Sequence, residues 1–126
     1  MITEIISGIY IGDTKYIDDI NLFKIYNIDI LVNCSTKLPF IKNDINKVRI
    51  PVNSNEDIIK NKDKILSFIK DNFLKKNILL ISDCNYHIII CCLFIIKYGN
   101  ISHINIKEII KNINKDLSID FNFSNI

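Results

Sequence analysis

The stretch Ile78-Leu79-Leu80-Ile81-Ser82, followed by the polar turn Asp83-Cys84-Asn85-Tyr86 and the apolar run His87 to Tyr98, constrains the fold most. A short run that is apolar at consecutive positions has no solvent face, so it reads as a strand buried on both sides. The run after the turn is too long for a strand. It reads as a helix buried on nearly all sides, with Gly99 as a natural C-cap. A doubly buried strand needs cover on two faces, which calls for helices on both sides of a sheet. Ligand sites in such sheets lie beyond the carboxyl ends of central strands, which is where Cys84 falls.

The other segments fit the same architecture. Ile9-Tyr10-Ile11-Gly12, Ile28 to Cys34 and Val48 to Val52 read as strands, with Pro51 placing the last at an edge or at its own end. Tyr16 to Tyr26, Asn55 to Phe73 and Ser102 to Asn114 carry apolar residues at helical spacing. Asp18 and Asp19 complement the dipole of the first helix. The chain of 126 residues suits one domain over 1–126 and is too short for two ordinary ones. The expected fold class is α/β, a three-layer single domain with a central, mostly parallel sheet of about four or five strands flanked by helices.

Composition narrows the function classes. Isoleucine, asparagine and lysine make up roughly half the chain, far above ordinary usage. Their codons are mostly A and T, so the bias points to an AT-rich genome and weakens arguments from any single Lys or Asn. Net charge is only +2, and lysines alternate with Asp and Glu, as in Lys60-Asn61-Lys62-Asp63-Lys64. That is a solvated helix face and not a nucleic-acid footprint. The longest apolar run, Ile88 to Ile96, is about half of what a membrane span needs, so no insertion is expected. Glu4 interrupts any signal-like opening, and Cys34, Cys84, Cys91 and Cys92 are not spaced as a disulfide framework. A reducing cytoplasm is the expected location.

In order along the chain, ISGIYIGD, NIDILVNCS, RIPVNSNEDI, FIKDNFLKKNILLISDC, LFIIKYGNISHINIKEIIKNI and SIDFNF resemble the successive segments of the small dual-specificity protein phosphatases. These form the compact branch of the cysteine-dependent tyrosine phosphatases. The resemblance covers almost the whole chain. It implies a nucleophilic cysteine thiolate, an arginine that grips phosphate in a bidentate fork, a loop glycine that lets the backbone curl round the anion, and an Asp that protonates the leaving oxygen. Placed on the family pattern H-C-x5-R-[ST], the chain reads DCNYHIIIC. Cys84 stands at the nucleophile position and Asp83 at the preceding histidine. Asn85 and Tyr86 follow, His87 stands at the glycine, Ile88 and Ile89 continue the loop, Ile90 replaces the arginine and Cys91 the hydroxyl. The general-acid position falls on Asn53 or Ser54, with Glu56 and Asp57 close by.

These departures all oppose phosphoryl transfer. Ile90 offers only methyl groups where a cation must meet the developing charge. Loss of one preorganised donor costs roughly 3–4 kcal/mol, and a charged fork at least that. Asp83 repels both a thiolate and a dianionic phosphate. His87 adds a side chain where backbone must approach the ligand, and only in its protonated form would it offset Asp83. Ile88, Ile89 and Ile90 would make the pocket floor apolar or fill it. Arg49, the chain's single arginine, is expected on the surface, away from the loop.

The set Cys84, His87, Cys91 and Cys92 also resembles a soft-ligand cluster. Adjacent cysteines on a helix do not readily converge on one ion, so they read as small buried hydrophobes and no metal or other cofactor is expected. Cys84 as a redox sensor is disfavoured by Asp83. His103 reads as an exposed or capping turn residue, and Phe68, Phe73, Phe94 and Phe121 as core.

The expected function is that of a pseudophosphatase that binds a protein partner, or a second copy of itself, with Cys84 as a vestigial nucleophile. The alternatives are an active phosphatase using Cys84 with Glu56 or Asp57, and a phosphoresidue-binding module without turnover. Composition and resemblance together point to a poxvirus-like source. Viral members of the family often dimerise through an N-terminal helix. Here the first strand follows almost at once, so self-association is expected to use another surface.

Overall fold

The computed structural model describes residues 2–40, 45–117 and 119–125. Ser118, the first residue of the SIDFNF segment, lies outside them. The strands are β1 (Thr3–Ile6), β2 (Ile9–Gly12), β3 (Ile28–Asn33), β4 (Asn46–Arg49) and β5 (Asn77–Ile81). The helices are α1 (Ile20–Ile25), α2 (Asn55–Asn72), α3 (Tyr86–Gly99) and α4 (Ile106–Ile113). Single 3-10 turns occupy Thr14–Tyr16 and Phe123–Asn125. The sheet order is β1-β2-β5-β3-β4. β1 pairs antiparallel with β2, and the other pairings are parallel. The expected mostly parallel, three-layer α/β sheet is therefore present, with five strands.

β5 lies at the centre and alternates between two cores. Ile78 and Leu80 face a large core with Ile58, Ile65, Leu66 and Ile69 of α2, residues 88–95 of α3, and Ile106 and Ile110 of α4. Leu79 and Ile81 face a smaller core with Phe23 of α1, Leu31 and Ile2. The period of two along a strand thus distributes one apolar run between both sides of the sheet. The same alternation slips in β3, where Ile28 faces the smaller core and Ile30 the larger. A register irregularity lies between them.

Five expectations on element bounds need correction. The fourth strand runs from Asn46 to Arg49 and not from Val48 to Val52, so Pro51 lies beyond its end. Thr3–Ile6 pairs as a strand, although its four residues carry too little pattern to stand out alone. The first helix does not start at Tyr16. Asp19 is its N-cap, accepting from the Leu22 N–H at 3.1 Å, and the helix runs only from Ile20 to Ile25. The last helix starts at Ile106 and not at Ser102, because residues 102–105 form a turn in which Asn105 N–H bonds the Ser102 carbonyl. At the end of α3, Asn100 and not Gly99 takes the left-handed cap conformation, with φ 54°.

Candidate functional site

The chain after β5 makes only a short excursion. Ser82 Oγ accepts the Cys84 backbone N–H at 3.2 Å, and α3 begins at Tyr86. The N–H groups of Ile88 and Ile89 both return to the Asn85 carbonyl, at 3.1 and 3.2 Å. A phosphate cradle needs such groups turned toward one external point. Here those of Cys84, Ile88 and Ile89 are engaged within the chain, and residues 86–90 are helix.

The side chains follow from the helix. Asp83, Cys84 and Asn85 are exposed, and Tyr86 is half-buried. Ile88, Ile89 and Ile90 are built into the large core, and Ile90 is 0% exposed. The position that the resemblance assigns to the phosphate-gripping arginine therefore points into packed hydrocarbon. Cys91 and Cys92 are core residues too, as is Cys34. Burial pushes the thiols of Cys34 and Cys92 up to about 12, and that of Cys91 well above its usual range. The soft-ligand set is thus dispersed, with Cys84 at the surface and Cys91 and Cys92 in the core.

His87 is buried at the start of α3. It occupies the first turn of α3, only 7% exposed, and its Nδ1 has no hydrogen-bond partner. Burial lowers its pKa to about 4, with Asp13 opposing in part, so it is neutral near pH 7 and does not offset Asp83.

The general-acid segment is also committed to structure. Ser54 is the N-cap of α2, accepting from the Asp57 N–H at 3.2 Å. The Asp57 carboxylate in turn accepts from the Asn53 N–H at 2.8 Å. This reciprocal pair is a variant of the capping box. Glu56 stands in the same first turn, where an acid complements the helix dipole. Asn53 is held from two further sides. Thr36 Oγ1 donates to its side-chain oxygen at 3.1 Å, and Tyr86 Oη donates to its carbonyl at 2.8 Å. Tyr86 thereby ties the turn after β5 to the segment after β4. No feature of the sequence pattern marked Tyr86 for that role, because the contact joins loops 33 residues apart.

Arg49 is half-buried and not a free surface group. Its guanidinium donates to the carbonyls of Ser35 and Leu38 and lies 4.9 Å from the Phe40 ring centroid. It fastens the loop after β3.

A cleft of about 550 Å³ opens beside Cys84, on the β2 side of the turn. The ends of β2 and β5, the start of α3 and the segment after α4 line it, and its carboxylates are Asp13, Asp83 and Asp116. Among the described residues, no lysine or arginine lines it.

No protein-family model matches the chain, and no curated protein matches it. Solved structures do match. Human DUSP28 superposes with a TM-score of 0.79 at 12% identity, covering 93% of this chain and 83% of that one. DUSP15 gives 0.77 at 21% identity, covering 88% and 74%. The human tyrosine phosphatase-like serine/threonine/tyrosine-interacting protein gives 0.78 at 11%, covering 94% and 87%. The chain has the dual-specificity phosphatase fold. On that fold, Cys84 lies in the short turn between the central strand β5 and α3, which begins at Tyr86.

Proposed function

We propose that this protein is a catalytically inactive phosphatase-fold protein, a pseudophosphatase, that acts by binding a protein partner or a second copy of itself. One observation carries this reading: the arginine position, Ile90, is a fully buried core residue in a helix. Phosphoryl transfer is catalysed mainly by positioning and charge stabilisation. Neither is favoured where the N–H groups of Cys84, Ile88 and Ile89 are engaged within the chain and the neighbouring cleft carries three carboxylates. The name of one structural neighbour, tyrosine phosphatase-like and interacting, describes a protein that pairs this fold with binding. The phosphoresidue-binding alternative is disfavoured by the same charge. The active alternative has one observation in its favour, the exposure of Cys84. Of the two acids it would use, Asp57 is engaged in capping α2, which leaves Glu56 in the same first turn.

The test is hydrolysis of an aryl phosphate by the unmodified protein beside Cys84→Ser. The reading expects the two to be indistinguishable. Turnover that vanishes in Cys84→Ser would sink it.

A further inference from the structure

Asn53 engages three different segments through three of its polar groups. Its N–H donates to the Asp57 carboxylate at 2.8 Å, its side-chain oxygen accepts from Thr36 Oγ1 at 3.1 Å, and its carbonyl accepts from Tyr86 Oη at 2.8 Å. Thr36 lies in the loop after β3, Asn53 in the segment after β4, and Tyr86 where the turn after β5 enters α3. These strands are neighbours, in the order β5-β3-β4, and run parallel. Their loops therefore leave the same end of the sheet, and one residue joins all three.

The geometry makes these bonds depend on one another. Asp57 sits in the first turn of α2, a helix fixed by its buried Ile58, Ile65, Leu66 and Ile69. Asn53 is thus anchored to a packed helix and cannot follow one neighbouring loop without losing the other. Contacts that break together share one opening free energy, whereas exposed contacts that break singly restrain only their own loop. The loop after β3 is held a second time, by the Arg49 guanidinium on the carbonyls of Ser35 and Leu38. Tyr86 also bridges the Cys84 turn toward the start of α2. The cleft beside Cys84 opens on the opposite, β2 side, and none of Thr36, Asn53 and Tyr86 lines it.

We infer that Thr36, Asn53 and Tyr86 form a latch: the loops after β3, β4 and β5 open and close as one unit, and the closed latch shuts the α2 side of the turn that carries Cys84. This is a conformational device of the fold, independent of partner binding and of turnover.

The experiment is native-state amide exchange of the full chain, read by NMR, for the unmodified protein, Thr36→Val and Tyr86→Phe. Each loop carries a reporter: the Leu38 N–H on Ser35 Oγ, the Asn53 N–H on Asp57, and the Cys84 N–H on Ser82 Oγ. Each variant removes one hydroxyl that is not buried, so the fold should persist. Loss of one such neutral hydrogen bond should speed exchange about twofold to fivefold. The latch predicts that factor at all three reporters in both variants. The remote pairs decide: Cys84 in Thr36→Val and Leu38 in Tyr86→Phe, each read in a loop that the variant does not touch. The amides of Ile104 and Asp116, bonded in turns elsewhere, should keep their rates. Faster exchange confined to the altered loop and Asn53 would show three loops moving separately and overturn the inference. An equal rise at Ile104 and Asp116 would mark general loosening and overturn it too. These outcomes are separate from the hydrolysis assay. A protein without turnover whose loops open singly keeps the pseudophosphatase reading and loses this one.

Discussion

Tyr86 Oη donates a hydrogen bond to the main-chain carbonyl of Asn53 at 2.8 Å, joining the turn that follows β5 to the segment that precedes α2. The two segments hold the nucleophile and general-acid positions implied by the phosphatase resemblance, and here a tyrosine ties them together. The contact is exposed, so its contribution should sit at the low end of the usual range for a neutral hydrogen bond, about 0.5–1 kcal/mol. Tyr86→Phe should lower the denaturant midpoint by that much and speed amide exchange at Asn53. Unchanged exchange would mean that the tie does not restrain the segment.

His87 makes stability depend on pH. Its folded-state pKa is about 4, below the ordinary histidine value of about 6.5. The unfolded chain therefore takes up this proton first as pH falls. The contribution of neutral His87 is whole above about pH 6.5 and is lost progressively toward pH 4. Over that window the loss is on the order of 3 kcal/mol. Carboxylates also titrate at the acid end, so the measurement is the difference between the wild-type protein and His87→Gln. That difference should change between pH 7 and pH 4.5, with the wild type losing more stability. Parallel profiles would contradict the buried neutral state.

Ile90→Arg restores the family residue at the position of the missing cation, yet it should not restore function. Ile90 is 0% exposed, so the substitution buries an unpaired charge in the core. Destabilisation of roughly 3 kcal/mol or more is expected, read as a large fall in melting temperature. Cys84→Ser, at an exposed position, should stay within about 0.5 kcal/mol of the unmodified protein. A well-folded Ile90→Arg protein would show that this stretch readily rebuilds as a loop.

Arg49→Ala should release the loop after β3. Two carbonyl acceptors, those of Ser35 and Leu38, lose a charged donor, and the Phe40 ring loses its stacked cation. Hydrogen bonds to charged groups contribute about 1.5–3 kcal/mol each, less where solvent reaches them. A loss of about 2 kcal/mol is expected, with faster amide exchange at Leu38. Lysine at this position should recover only part of it, because it cannot bridge two carbonyls with a rigid fork.

The elements legible in the sequence were those with long or doubly buried apolar patterns. β5, α2 and α3 were placed to within a residue or two because their period and length leave few alternatives. Thr3–Ile6 was not, since four residues with a bulge at an edge carry almost no period. Asp18 and Asp19 read as first-turn acids, but Asp19 proved to be the cap itself, which shortened α1. Position in sequence also located the turn that carries Cys84. What lay outside sequence reasoning were the long-range polar contacts. The Tyr86–Asn53 bond and the Arg49 clamp each join segments distant in sequence, and Asp13, Asp83 and Asp116 line one cleft only in the folded chain. None follows from local pattern.

The central claim is that the frame persists while its grip on phosphate is gone. The most direct measurement is the melting temperature of the intact protein in increasing inorganic phosphate or phosphotyrosine, with ionic strength held constant by chloride. A ligand at a hundredfold its dissociation constant would stabilise the fold by about 2.7 kcal/mol, which is several degrees for a domain of this size. The account predicts no rise beyond the chloride control at millimolar ligand. A saturable rise that disappears in Cys84→Ser would contradict it.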